Sequence, residues 1–427
     1  MRKLSLIAVI LAVNVAAQDS DIRFGFENGF GARAFSLANN YVALANDLSA
    51  VYWNPAALSF SLAREFQVTF DMSSLSGAST FSGNMQSGSM NRLKISNAGL
   101  LYSFPATQGG LTIAFSYSNP FVFDDVYNAR VNFFHDNLHT SIDKRFRTSG
   151  GLKYFSGGLG LQVAPRMGVG ASVSFVYGRE DLERMTYKDY VSYDISEDID
   201  YSIKGKYAGY DIRLGAFYKD ELLSAGLRFV FPQVIRIRET DNKKSTISYP
   251  ETGSQYQEYS DRYRGKMYSS YNGAAGISLT LPLLTLSAEG RAVFPFGFVF
   301  PSEEIHSSSQ AGFFKVGGGV GLEFPVGKVP MLVRTGYSID EVDLHRYISK
   351  YDNEDILWND GNFIIDQNRH QMSAGVVFFS SNISLDIGYS YSMWKITEKV
   401  VSNEVYIGDL NHDYSMHKLM VSLSLRY

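Results

Sequence analysis

From about Phe66 to the last residue, apolar and polar positions alternate with a period of two. In 212–218, IRLGAFY, one face carries Ile, Leu, Ala and Tyr; in 383–391, ISLDIGYSY, the apolar and polar sets separate completely. Successive side chains of a strand point to opposite faces, so the pattern predicts strands with one apolar face. The candidates are 66–72, 95–104, 111–118, 151–163, 167–178, 203–218, 222–236, 265–280, 284–298, 310–324, 330–340, 370–379, 382–395 and 414–427. They number fourteen, and an even count is what a single-chain bacterial outer-membrane barrel requires.

A soluble sandwich also alternates, but its connections need not sort by length. Here they do. Short links at 105–110, 164–166, 219–221, 281–283, 325–329 and 380–381 take turns with long ones at 73–94, 119–150, 179–202, 237–264, 299–309, 341–369 and 396–413. Short periplasmic turns and long external loops are the barrel pattern. It places the segment before the first strand and the C-terminus on the periplasmic side. The last strand sets Leu419, Val421, Leu423, Leu425 and Tyr427 against Lys418, Ser422, Ser424 and Arg426. An alternating final strand that ends on an aromatic is the kind of signal barrel-assembly machinery reads, which makes that machinery an expected partner. The expected fold is all-β: a 14-stranded antiparallel transmembrane barrel over 64–427.

Gly29–Leu58, GFGARAFSLANNYVALANDLSAVYWNPAAL, breaks the pattern. It is rich in small residues, weakly charged, and closes on Trp53-Asn54-Pro55-Ala56-Ala57-Leu58, where proline fixes φ and removes a donor, so a helical run stops there. So apolar a segment does not sit alone in the periplasm, and a fourteen-stranded barrel has room for it. The reading is a small helical hatch over 18–63, with Arg33 and Asp47 as its main fixed charges, both expected to pair with the barrel wall.

This segment also resembles the outer-membrane transport family of FadL and TodX, through its Gly-Ala-Arg-Ala opening, Tyr-Val-Ala-Leu-Ala-x-Asp centre and Tyr-Trp-Asn-Pro-Ala close. The resemblance covers about thirty residues and implies that the Asn54-Pro55-Ala56 turn anchors the hatch where it meets the first strand. It also implies an apolar ligand pocket with basic side chains at the ligand's head group.

Composition adds the compartment. Met1-Arg2-Lys3, an apolar run at 4–13 and Val15-Ala16-Ala17 read as a cleaved secretory leader over 1–17; Asn14 cuts the run well short of a membrane span. Mean hydropathy is only −0.11 although aromatics reach 14%, as expected when lumen-facing and lipid-facing residues alternate. There is no cysteine, and hence no disulfide or thiolate chemistry. Net charge is −4 without a basic, aromatic-interleaved patch, so nucleic acid is not an expected partner. The expected location is the outer membrane, among its lipid and lipopolysaccharide.

Strand parity points Asp211, Arg213, Arg228, Glu289, Arg291, Lys315, Arg334 and Asp386 into the lumen. Two uses stay open: Arg213, Arg291 and Lys315 as a carboxylate-binding set for an amphipathic acid, or the whole group as a balanced network holding the hatch. Apolar clusters in the external segments (121–123, 133–134, 356–358, 363–365) fit either a capture groove for a hydrophobic substrate or loop packing. The acidic runs 196–200 and 352–355 lack calcium-loop spacing and read as solvated loops. His135 and His139 lack the HExxH pattern, and no serine sits in a GxSxG elbow; no catalytic residue, metal or cofactor is expected.

The function these features suggest is passive uptake of hydrophobic compounds such as long-chain fatty acids, by loop capture, a lumenal pocket, and hatch movement or lateral exit through a gap in the wall. Ser118-Asn119-Pro120 and Phe231-Pro232 are the places to look for that gap, because proline cannot donate to a ladder. The alternative is a non-transporting relative, like the PorV-type secretion partners, whose loops and lumen bind protein.

Overall fold

The computed structural model describes residues 24–27, 29–61, 64–104, 109–135, 138–268, 271–294, 315–326, 330–340, 343–344, 348–351, 354–357, 363–402 and 405–427. The expected leader, the link 295–314 and parts of 341–362 lie outside them. Fourteen antiparallel strands form the wall: β1 Glu65–Phe81, β2 Asn84–Phe104, β3 Leu111–Val122, β4 Leu138–Ala164, β5 Met167–Tyr190, β6 Ile195–Lys219 and β7 Leu223–Val230. They continue as β8 Tyr271–Leu281, β9 Leu284–Phe294, β10 Lys315–Pro325, β11 Met331–Asp340, β12 Phe363–Phe379, β13 Ile383–Ser402 and β14 Val405–Arg426. Each pairs with its neighbour, and β14 closes on β1 from Glu65↔Arg426 to Thr80↔Asn411. Closure leaves no exposed edge, the condition for β-structure in lipid.

The two faces sort as the alternation requires. Phe66, Phe70, Met72, Leu100, Phe115, Phe155, Val173, Phe175, Leu214, Leu227, Ile277 and Met372 stand exposed on the outside, while Gln67, Thr69, Asp71, Ser172, Asp211, Ser422 and Ser424 are buried inside. A continuous apolar belt of this kind is an aggregation hazard in water and the proper surface in lipid. The chain is a transmembrane β-barrel. Of the aromatic residues that parity puts outside, Phe229, Tyr389 and Tyr427 are exposed.

The external ends differ from the expectation. Segments 73–94 and 179–202 are ladder nearly throughout, closed by Ser82-Gly83 at positive φ and by a turn whose Asp194 has φ 51°. The acidic run 196–200 therefore lies on β6, where Glu197 pairs with Lys188 of β5 at 3.6 Å, and is not a loop. Above the membrane the outward face is polar and the buried inward face mixes polar and apolar residues, so the sequence lacks a clean apolar alternation although the hydrogen-bond ladder continues. Two expected strands are also divided. The 222–236 candidate breaks at Phe231-Pro232-Gln233, and the 265–280 candidate mixes two elements: Val234–Tyr249 and Gly253–Tyr268 form an outer hairpin on the upper part of β6, and only β8 lies in the wall.

A second break sits at Ser118-Asn119-Pro120, where the β3–β4 register shifts. Below it β2 and β3 pair from Asn97↔Ser118 to Phe104↔Leu111; above it they part. The chain then turns inward, and an inner strand, Asp125–His135, pairs with the upper part of β4. Val126 and Tyr127 of this strand lie against the lumenal side of Gly77 on β1 and Gly88 on β2, where a Cβ would collide with them.

Candidate functional site

The hatch consists of α1 Ala32–Ser36, α2 Ala50–Trp53 and a 3-10 turn Pro55–Phe60. Helices this short are marginal alone, and burial stabilises them: Phe30, Leu37, Tyr41, Leu48, Trp53 and Leu58 are all essentially inaccessible. Phe30, Tyr52 and Trp53 stack edge to face, and the Trp53 indole donates to the Phe30 carbonyl at 2.8 Å.

The wall meets this plug with glycines. Gly158 and Gly160 on β4, Gly170 on β5, Gly215 on β6, Gly226 on β7, Gly319 on β10, Gly336 on β11 and Gly375 on β12 each leave room that a Cβ would take from the hatch. At Gly170 it would strike Pro55, at Gly215 Asn54, and at Gly336 the Leu37–Ala38 backbone. The two chains therefore touch backbone to backbone around most of the ring.

Short helices leave many carbonyls and amides without intrahelical partners, and wall side chains take them up. Ser172 donates to the Val51 carbonyl at 2.9 Å, Ser224 to Ala43 at 2.8 Å and Ser373 to Ser36 at 2.9 Å. Glu289 of β9 accepts the amides of Tyr41 at 2.7 Å and Val42 at 2.8 Å through one oxygen, and the Arg291 guanidinium at 2.9 Å through the other.

The sequence-derived residues fall into this scheme as follows. Arg213 sits between Asp211 at 2.7 Å and the Tyr52 carbonyl at 2.9 Å, with its guanidinium 3.7 Å from the centre of the Tyr52 ring. Arg291 holds Asp340 and the carbonyl of Asn39, each at 2.7 Å. Ala38 and Asn39 both have positive φ, a left-handed bend that Arg291 caps. Lys315 opens β10 opposite Val293, and its side chain lies outside the described residues. Arg33 reaches the wall at Glu323, 3.1 Å away, and also contacts Asn46; Glu323 binds Arg334, which binds Asp386 at 2.6 Å.

Asp47 does not pair with the wall as expected. Its carboxylate instead accepts the Ser49 amide at 3.0 Å and the Ser49 hydroxyl, because it closes the turn entering α2. Asn54 accepts the Ala56 amide at 3.2 Å and donates to Val42 at 3.0 Å and to Ala216 of β6 at 3.2 Å. Pro55 occupies the first position of the 3-10 turn, and the Ala56 carbonyl accepts the Ser59 hydroxyl at 2.6 Å. The Asn54-Pro55-Ala56 turn thus joins hatch to wall on β5 and β6. Glu289 and the serines carry no motif; only their inward parity on polar faces marked them.

Above the hatch the lumen is filled differently. Leu75, Met90, Val122, Val126, Trp394, Ile396, Tyr414 and Met416 form one buried cluster; Phe81, Tyr127, Ala129, Val131, Phe146, Leu182, Ile203 and Leu410 form another. Tyr127 stacks on Phe146 at 4.9 Å and Trp394 on Tyr414 at 5.2 Å. Of the apolar residues that fitted either a capture groove or loop packing, Val122 and Phe123 are buried, Val122 in the first of these clusters and Phe123 against the hatch core, whereas Phe134 remains exposed. Where β2 and β3 part, Ser73, Leu75, Met90, Arg92, Val122, Asp124 and Met416 line a narrow crevice of about 10 Å³, room for about one water molecule. Arg92 and Asp124 face each other at its edge, 3.6 Å apart. Asp125 lies beside the Tyr414 hydroxyl above the apolar belt; burial pushes its carboxyl well above the usual range, and Tyr414 offsets only part of that.

The barrel is similar to solved structures across almost its whole length. The Pseudomonas putida toluene transporter TodX aligns over 94% of this chain and 99% of its own, at 14% identity and a TM-score of 0.63. A Pseudomonas aeruginosa FadL homologue covers 95% of this chain and 99% of its own, at 15% identity and 0.61. For the Ralstonia pickettii toluene transporter TbuX the values are 94% and 99%, at 12% identity and 0.54. At such identities the likeness is one of fold. No curated protein matches the chain in sequence. A family model does: BamG matches residues 39–263, just over half of the chain, taking in most of the hatch and the wall as far as the outer hairpin. The chain therefore belongs to the BamG family, built on a fourteen-stranded barrel of the FadL and TodX type.

Proposed function

We propose that the protein is an outer-membrane channel for small hydrophobic compounds, with aromatic hydrocarbons or fatty acids as substrate class. The observation that carries this reading is the parting of β2 from β3 above Asn97↔Ser118, beside a narrow, mostly apolar crevice at the level where the wall leaves the lipid belt. TodX, of the same fold, is a toluene transporter. A compound entering from outside passes between the inner strand and β1–β2, and leaves sideways into the bilayer without crossing the hatch. Movement is downhill, with no catalytic step.

Arg213 and Arg291 have a defined part in this scheme. Each guanidinium holds one hatch carbonyl, so an acidic ligand reaching them replaces Tyr52 or Asn39 by its own carboxylate and loosens the hatch. Lys315 is proposed as a further point charge for such a ligand. A second reading, a non-transporting barrel that binds a protein partner, is favoured by one observation: hatch and inner strand together occupy the described lumen.

A Cβ at Gly88 of β2 would lie 3.0 Å from Val126 Cγ2 of the inner strand. The absence of native cysteine makes Gly88→Cys with Val126→Cys a lock between the inner strand and β2. Uptake of radiolabelled toluene and oleate by cells should fall about tenfold on oxidation and recover on reduction. Equal uptake by locked and unlocked protein rejects the lateral route and favours the scaffold.

A further inference from the structure

Outside the lumen, one feature of the wall opposes the normal rules of strand pairing. Arg179 of β5 pairs with Lys206 of β6, Lys206 with Arg238 of the outer hairpin, and Arg238 with Arg264 of its second strand. All four side chains are exposed and share the outward face. Like charges placed directly opposite each other destabilise a sheet, and this rung repeats the conflict across four neighbouring strands, a width of about 15 Å at the usual strand spacing. Lys153 and Arg236 lie one rung closer to the membrane on the same face, and Lys204 one rung further out.

Counter-charge is sparse. Asp181 and Glu183 share the outward face of β5, yet among the described residues neither forms an ion pair with the rung. Arg179 donates to the Tyr177 hydroxyl at 2.9 Å, a neutral acceptor on the membrane side.

The height of the rung is informative. Two rungs below it, Phe155, Phe175, Tyr210 and Val234 stand side by side as the upper rim of the apolar belt, with Phe175 and Tyr210 edge to face at 5.8 Å. Aromatic residues of a barrel mark the interface between hydrocarbon and head groups. Two residue pairs further along the strand reach about 10 Å beyond that rim once strand tilt is allowed for, which is the depth of lipid head groups. The short turns face the periplasm, so this is the outer leaflet.

We infer that Arg179, Lys206, Arg238 and Arg264, flanked by Lys153 and Arg236, bind the phosphate groups of an outer-leaflet lipid. Guanidinium groups grip phosphate oxygens in pairs, the lysine adds a point charge, and the bound anion relieves the repulsion along the rung. The acyl chains then lie against Phe155, Phe175 and Tyr210, continuous with the lipid-facing belt. The site is independent of whether the lumen transports.

The test uses the folded full-length protein in uncharged detergent, probed with a lipid A disaccharide carrying two phosphates and with the same lipid dephosphorylated. Native mass spectrometry should show at least tenfold greater retention of the phosphorylated form, weakened by 0.5 M salt. Arg179→Gln, Lys206→Gln, Arg238→Gln and Arg264→Gln combined should erase the difference, while Lys206→Arg keeps it. If the combined variant loses its resistance to SDS unfolding, Lys206→Gln and Arg238→Gln are read singly, each with a two- to threefold loss. Equal retention of the two lipids, or no loss in the variants, overturns the assignment. So does full displacement of the lipid by millimolar inorganic phosphate, which marks a free-anion site.

Discussion

The two halves of the lumen are closed by different physics. In the lower half, wall and hatch meet at backbone distance, and their bonds are directional: serine hydroxyls, Glu289, Arg213 and Arg291 each hold a named hatch carbonyl or amide. In the upper half the inner strand is held on one side by its ladder with β4, while its contact with β1 and β2 is mostly packing of Val126 and Tyr127, with one hydrogen bond from Asn128 to the Ser87 carbonyl. Packing is non-directional and degrades gradually, whereas a buried ion pair that loses one member leaves an uncompensated charge. The lower closure is therefore the fixed one. On the proposed route, the upper closure is the one a hydrophobic solute slides past.

The largest expected effect breaks the lower closure. Glu289→Ala removes the acceptor of two hatch amides and the partner of Arg291, and loss of one member of a buried pair costs about 3–5 kcal/mol. The hatch should become sensitive to protease while the barrel still resists SDS, which a limited-digestion gel measures. Gly170→Val is next: the new side chain meets the Pro55 backbone, and overpacking costs about 1–3 kcal/mol. It should lower the thermal midpoint of the hatch but leave the rate at which a probe crosses the seam unchanged.

The smallest effect belongs to the upper closure and depends on pH. The folded Asp125 carboxyl is raised by burial, so the folded state holds its proton more tightly than the unfolded chain. Its stabilisation is complete below the usual carboxylate value of about 4 and declines as pH rises through the folded value. Hydrogen exchange of the inner-strand amides, corrected for its intrinsic pH dependence, should speed up as pH rises from 4 towards neutrality. Asp125→Asn should flatten that profile. An unchanged profile separates Asp125 from the seam, and a similar profile for hatch proteolysis removes the contrast between the halves.

Much of this was legible in the chain. Alternation, the sorting of short and long links, and inward parity correctly placed Asp211, Arg213, Arg228, Glu289, Arg291, Arg334 and Asp386. Arg33 met the wall as its charge in an apolar segment suggested. Asp47 did not, because a carboxylate two residues before a serine amide has a local partner at less entropic cost than a distant one. Strand ends at 73–81, 179–190 and 195–202 were missed because the buried inward face there mixes polar with apolar residues, which blurs the period-two contrast.

The sequence by itself determined the number of wall strands, their in and out faces, the presence of an apolar hatch and the two proline-marked breaks, because each depends on local periodicity or a local backbone restriction. Only the tertiary structure decided which wall glycines meet the hatch, which carbonyls Arg213 and Arg291 hold, that 125–135 folds inward, and that four cations on separate strands form one rung. Those facts are set by register between distant strands, and register comes from closing the whole ladder rather than from any one segment.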